Sequence, residues 1–305
     1  MKIDFCKRDR VCFLGDSITA HGFWIAEVVE YFLQNYPELE IGFFNCGISG
    51  TSGRDAELKN RLYVDFFNYF PKYAVIMFGM NDMARWLYDP ATETPERIER
   101  REARIKEYRG TLERLIAVCR LRDVTPIICT PTPYNDYGEF AAESWGFDKA
   151  LEKCAETARK VAEENGLILV DMRQIIMDHL DEKPLRDDRA HPSRYGYHLM
   201  AEKFLFDIGA KDKIEPEKEC VVSYKNEQRF EIEDILRDIM FVEFNYMGWQ
   251  YAKSFSLPYR KALLNKRMET ETRDFNAVFK NYMAYADVKD ELQGELLKRT
   301  IEMYE

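Results

Sequence analysis

A serine at position 17, an aspartate at 188 and a histidine at 191 are the side chains of this sequence best suited to do chemistry together. Ser17 stands in Gly15-Asp16-Ser17-Ile18-Thr19, a turn-like stretch directly after the apolar run 11–14. Asp188 and His191 share the segment Asp188-Arg189-Ala190-His191 far downstream. A serine hydroxyl is a weak nucleophile at neutral pH. It needs a base to take its proton, and the base needs a carboxylate that holds its tautomer and orientation. The three residue types offer one candidate for each role, and the chemistry they point to is acyl transfer. Negative charge developing on a carbonyl oxygen would then need preorganised donors. The candidates are the Ser17 N–H at a helix start, the Gly47 N–H and the Asn81 side-chain amide. A glycine at 47 would let backbone approach a substrate with no side chain in the way.

These residues need a scaffold that brings distant segments to one place. Short runs rich in β-branched and aromatic residues predict strands at 10–14, 40–45, 73–78, 124–129 and 167–170. Helices are expected between and after them, at 20–35, 54–69, 96–121, 144–165 and 193–208, the fourth stopped by Asn165-Gly166. Strands alternating with helices imply an α/β fold, a parallel sheet covered on both faces. The unbroken apolar run 74–78 suits a central strand. Ligands of such sheets bind beyond the carboxyl ends of the strands. There the sequence has Gly15-Asp16-Ser17, then Cys46-Gly47-Ile48-Ser49-Gly50, Gly79-Met80-Asn81-Asp82, and Thr130-Pro131-Thr132-Pro133-Tyr134-Asn135. Asp188 and His191 lie downstream of the fifth strand. Glycines and hydrogen-bonding side chains thus gather at one edge.

Taken singly, each of these stretches is commonplace; a serine in such a turn often does no more than cap the helix behind it. In order, however, Gly15–Thr19, Asn45–Gly50, Gly79–Asp82 and Asp188–Pro192 resemble the four blocks of the SGNH hydrolases, also called GDSL esterases/lipases. The resemblance runs from the N-terminus to about residue 210. It implies a flavodoxin-like three-layer α/β/α sandwich with a five-stranded parallel sheet. It also implies Ser17 as nucleophile, His191 as base, Asp188 as its orienting acid, and Gly47 and Asn81 as oxyanion donors beside the Ser17 N–H. No metal or other cofactor is expected, because the four histidines show no ligand-like spacing.

Bulk properties narrow the setting. A formal net charge of −10 argues against a nucleic-acid partner, and no apolar run approaches a membrane span. The charged N-terminus lacks the apolar stretch of a signal peptide, and seven scattered cysteines without a CxxC pair suit a reducing cytoplasm. Arg97, Arg100, Arg101 and Arg104 alternate with glutamates and read as a solvated helix face. The charged stretch 211–219, containing Pro216, suggests a boundary: a hydrolase domain over 1–212 and a mainly helical C-terminal extension over 213–305. Short strands are expected at 220–224 and 228–232. The aromatic residues Phe241, Phe244, Tyr246, Trp249, Tyr251 and Phe255 would need a cover, on the first domain or in a homodimer.

Two long stretches, 83–95 and 132–147, should overhang the active edge. Their aromatic residues, Trp86, Tyr134 and Trp145 foremost, mix with polar neighbours and would suit sugar rings rather than a long acyl chain. The same rings could instead pack the loops onto the domain. The expected activity is hydrolysis of a short ester, acetyl foremost, on a carbohydrate or similar small polar molecule. A lysophospholipase or thioesterase preference, and a non-catalytic binding scaffold on this fold, are the alternatives.

Overall fold

Each of the five apolar runs forms a strand in the computed structural model, which describes residues 2–39, 41–58, 62, 66–143 and 145–216. The strands are β1 (Arg10–Gly15), β2 (Gly42–Gly47), β3 (Tyr73–Met77), β4 (Thr125–Cys129) and β5 (Ile168–Val170). They pair in parallel in the order β2-β1-β3-β4-β5. Register explains why the site can form. Gly15 pairs with Gly47 on one side and with Met77 on the other, so three strands end level and release their loops at one edge. β2 and β3 are buried along their whole length, as expected for a sheet covered on both faces.

Among the described residues, seven α-helices flank the sheet: α1 (Ser17–Ala20), α2 (Phe23–Asn35), α3 (Gly53–Leu58), α4 (Pro95–Arg120), α5 (Phe147–Glu164), α6 (Met172–Asp178) and α7 (Arg194–Asp207). α2 packs on α7, which also meets α6, while α4 meets α3 and α5. The core joins strand to helix through rings: Phe13 of β1 lies 5.1 Å from Trp24 of α2 and 5.7 Å from Phe204 of α7. Rings of this size bury enough apolar area to dominate such a contact.

Three differences from the expected elements have local causes. The expected helix 20–35 starts at Phe23, behind the separate short α1, because Gly22 takes a left-handed φ of 72° between them. The fourth starts at Phe147 rather than 144, behind Gly146 at φ 73°. α6 was not expected; Asp171 caps it by accepting the Gln174 N–H at 3.1 Å, and Met172, Ile175 and Ile176 bury its inner face. The expected helix 54–69 begins with α3 and ends near a 3₁₀ turn at Phe67–Tyr69.

At the end of the described chain, residues 211–216 run along α7. The Glu215 carbonyl accepts from His198 Nε2 at 3.1 Å, and Lys211 Nζ pairs with Glu202 at 2.7 Å. The strands expected at 220–224 and 228–232, the aromatic segment 241–255, the later helices and the homodimer contact argued from them lie outside the described residues.

Candidate active site

Ser17 opens α1, directly after the turn that leaves β1. Asp16 caps that helix, its Oδ1 accepting the Ile18 N–H at 3.0 Å. The Ser17 Oγ lies 2.9 Å from His191 Nε2, and His191 Nδ1 lies 3.0 Å from Asp188 Oδ2. The other Asp188 oxygen accepts the N–H groups of Ala190 at 3.1 Å and of His191 at 2.9 Å. Burial would raise the Asp188 carboxyl, but the backbone N–H and imidazole of His191 outweigh it and hold the group below its usual value. The carboxylate therefore stays ionised beside the imidazole. In this geometry the serine proton can pass to Nε2 while Asp188 stabilises the resulting imidazolium.

Acid and base sit on a small hairpin fastened by its own backbone. Leu185 bridges Pro192, the Arg186 N–H donates to the His191 carbonyl at 2.9 Å, and the Ser193 N–H donates to Pro184 at 2.8 Å. Arg189, between the two catalytic candidates, takes a left-handed φ of 68°. Its Nε donates to the Asn135 carbonyl at 2.9 Å, its Nη2 pairs with Asp136, and its own carbonyl accepts the Asn135 N–H at 2.8 Å. Arg189 thus clamps the hairpin to the loop after β4. Sequence reasoning gave it no role. His21 also approaches the candidate base: its ring centroid lies 4.6 Å from that of His191, and its Nδ1 is 2.9 Å from the Tyr197 hydroxyl.

The oxyanion candidates look different from one another. Asn81 Nδ2 donates one hydrogen to the Thr51 carbonyl at 3.0 Å, which holds the amide in place and leaves its second N–H for a ligand. The Gly47 N–H already donates to Asn45 Oδ1 at 3.0 Å. Its lack of a side chain also has another cause than substrate approach. A Cβ on Gly47 would stand 2.3 Å from the Ala20 nitrogen, so glycine is what allows α1 to lie against β2. Buried Asn45 completes that junction, donating to the Thr19 and Ala20 carbonyls at 2.9 and 3.2 Å. Beneath the edge lie two buried carboxyls. Burial pushes Asp16 up to about 7 and Asp82 up to about 6.

A cleft of about 470 Å³ runs from Asn81 to Ala190, the neighbour of His191. Of the three aromatic residues expected to meet substrate, Trp86 and Tyr134 line it, and Trp145 lies against Arg85, which does. None of them is a bare platform. Tyr134 is only 3% exposed, packs edge-on against Phe147 and carries Arg85 and Arg189 at 5.0 Å each. Trp145 carries Arg85 at 4.7 Å, and Trp86 carries Arg97 at 5.1 Å and Arg100 at 5.3 Å. The arginines of α4 are therefore not simply a solvated face. Arg97, Arg101 and Arg104 also donate to the carbonyls of Trp86, Leu87 and Asp82 and grip the loop after β3.

Comparison with known proteins identifies the family. A sequence model of the GDSL-like Lipase/Acylhydrolase family matches residues 13–199, more than half of the chain. The chain belongs to this family. It is accordingly an SGNH-type carboxylic ester hydrolase that works through a serine. It is 29% identical over 219 residues to an acetylxylan esterase of Geobacillus stearothermophilus, covering 66% of this chain and 94% of that protein. The crystal structure of that esterase, Axe2, superposes with a TM-score of 0.56 at 26% identity, covering 68% of this chain and 97% of that one. LAE5, an alpha/beta hydrolase enzyme from the metagenome of Lake Arreo, shares the fold at 23% identity and a TM-score of 0.53, over 67% of this chain and 97% of its own.

Proposed function

We propose that this GDSL-family esterase removes acetyl groups from a carbohydrate or similarly small polar alcohol, through an acyl-enzyme on Ser17. The observation that carries the reading is the continuous hydrogen-bonded line from Ser17 Oγ through His191 to Asp188, at 2.9 and 3.0 Å. Further support comes from the acetylxylan esterase, whose catalytic variants replace a serine, an aspartate and a histidine, the last two three positions apart as Asp188 and His191 are. The cleft at Asn81 is lined by charged and polar groups rather than an aliphatic groove, which favours a small polar alcohol over a long chain.

In this reading Ser17 Oγ attacks the acetyl carbonyl as His191 Nε2 takes its proton. The free Asn81 N–H and the Ser17 N–H receive the developing oxyanion, with Gly47 joining only if its amide leaves Asn45. His191 returns the proton to the departing sugar oxygen. Water, deprotonated by the same imidazole, then releases acetate and restores the serine. A reducing, cytoplasmic setting belongs to the same reading, supported by six free cysteines among the described residues.

The test is a panel of 4-nitrophenyl esters from two to twelve carbons beside acetylated xylo-oligosaccharides. Turnover should be fastest for acetate and fall steeply with chain length. Faster turnover of the longest esters, or no fluorophosphonate labelling of Ser17, would reject the proposal.

A further inference from the structure

Arg85 is the least explained charged group at the active edge. It lines the cleft beside Asn81, and its guanidinium carbon lies 5.0 Å from the Tyr134 ring centre and 4.7 Å from that of Trp145. Stacking on rings engages the face of a guanidinium but leaves its in-plane N–H edge unsatisfied. No carboxylate or carbonyl among the described residues takes that edge. Arg104 lines the same cleft and spends Nη1 on the Asp82 carbonyl at 2.7 Å, with its remaining donors unassigned. Arg54, also in the lining, is paired with Glu107 at 2.6 Å. Asp55 is the one acidic residue there, and its carboxylate accepts from the Ser52 N–H and hydroxyl.

This is a local reversal of charge. The whole chain carries a formal −10, yet the cleft that begins at the oxyanion amide is lined by three arginines against one aspartate. For a neutral sugar such a lining gives little benefit, since desolvating a guanidinium costs energy that only a matching acceptor returns. Planar, ring-stacked arginine suits an anion bound in two-point fashion. We infer that the alcohol part of the substrate is an anionic sugar, its carboxylate or phosphate group held by Arg85 and Arg104 while the acetyl ester faces Ser17. The inference rests on the acetylesterase reading for its orientation, but the charge of the cleft can be tested without turnover.

The full chain carrying Ser17→Ala is titrated by calorimetry with methyl β-D-glucuronide, glucose 6-phosphate and methyl β-D-glucoside. At least one anion should bind roughly tenfold or more tightly than the glucoside, because a guanidinium forms charge-assisted bonds to an anion that a neutral hydroxyl does not offer. The margin should shrink as salt rises from about 0.01 M to about 1 M. Adding Arg85→Gln should remove most of it, and adding Arg85→Lys should restore part. A stronger response to the glucuronide identifies the carboxylate as the group read, and a stronger response to the phosphate identifies the ester of phosphoric acid. Equal binding of all three ligands, or a margin indifferent to Arg85, overturns the inference. Loss of 4-nitrophenyl acetate turnover by the unmodified protein, with anion binding intact, would sink the acetylesterase reading alone.

Discussion

The hairpin at 184–193 and the loop at 82–93 border the same cleft but are held by different means. The hairpin is fastened mainly from within, by backbone pairs between residues close in sequence, with Asp188 itself accepting two N–H groups of its own turn. The loop is fastened from outside. Arg97, Arg101 and Arg104, on one face of α4, donate to the carbonyls of Trp86, Leu87 and Asp82. One region holds the candidate acid and base and is built locally; the other borders the cleft and depends on long side chains reaching from a separate helix. Their variants should therefore separate chemistry from binding.

The largest effect belongs to the chemistry. Ser17→Ala should lower ester turnover by roughly 10⁴- to 10⁶-fold, as removal of a nucleophile does in serine hydrolases. The fold should be unchanged by circular dichroism, since one hydroxyl at a turn adds little stability. Near-normal turnover in the purified variant would make another residue the nucleophile. Asn81→Ala comes next, at about 10²-fold in kcat with KM nearly constant, because its donor is aimed at charge present only in the transition state. A variant that mainly raised KM would turn Asn81 into a ground-state contact.

The comparison itself is tested by Arg189→Ala and Arg101→Gln. Arg189 fixes the hairpin to the loop after β4, so its loss should lower kcat by about 10-fold for sugar and small aryl esters alike. Arg101 grips the Leu87 carbonyl through Nε at 2.9 Å and Nη2 at 2.7 Å. Its variant should raise KM for acetylated sugars by about 5-fold, because a loosened loop positions the sugar less well, and leave 4-nitrophenyl acetate turnover alone. Identical profiles for the two variants would mean that hairpin and loop move as one body.

The same contrast explains what could be read in advance. The five strands were legible because each is a short apolar run ended by a turn, and the observed ends differ by only a residue or two. Ser17, Asp188 and His191 stood out because their types and loop positions are interpretable without any partner, and the structure brings them within hydrogen-bonding distance. Gly22 hid inside an apolar helical pattern, and α6 is too short to display a period. The role of α4 was hidden by its own regularity: arginines alternating with glutamates look like a solvated face until the loop they hold is known. Gly47 stood out as a candidate donor, but its close packing against Ala20 joins segments distant in sequence and could not be read in advance.

A buried acid at the start of the loop gives the fold a pH response. Burial raises Asp82 to about 6, against the opposing effect of the Gly53 N–H that its Oδ1 accepts at 3.0 Å. A carboxyl raised in the folded state contributes stability that is fully present below its unfolded value, about 4, and is lost as pH rises through 6. Asp82→Asn keeps the acceptor for Gly53 and removes the ionisation. The melting temperature of the variant, relative to the parent, should therefore climb between pH 4.5 and 7. A constant offset across that range would show that Asp82 does not titrate there.

The smallest effect is expected at His21, and it asks how local the proton line is. The ring lies 4.6 Å from His191 at an interplanar angle of 37°, and Nδ1 is anchored to the Tyr197 hydroxyl at 2.9 Å. The ring restricts the tilt of His191, while the His21 backbone N–H holds the Ser17 carbonyl at 2.9 Å in any variant. Ring pairs of this kind contribute about 0.5–1.5 kcal/mol, so His21→Ala should lower kcat by about 2- to 10-fold with KM unchanged. His21→Phe restores a ring but not the bond to Tyr197, and should recover most of the loss if contact with the imidazole is what counts. If Phe were no better than Ala, the anchor to Tyr197 rather than the ring contact would position the base, and the proton line would extend into α7.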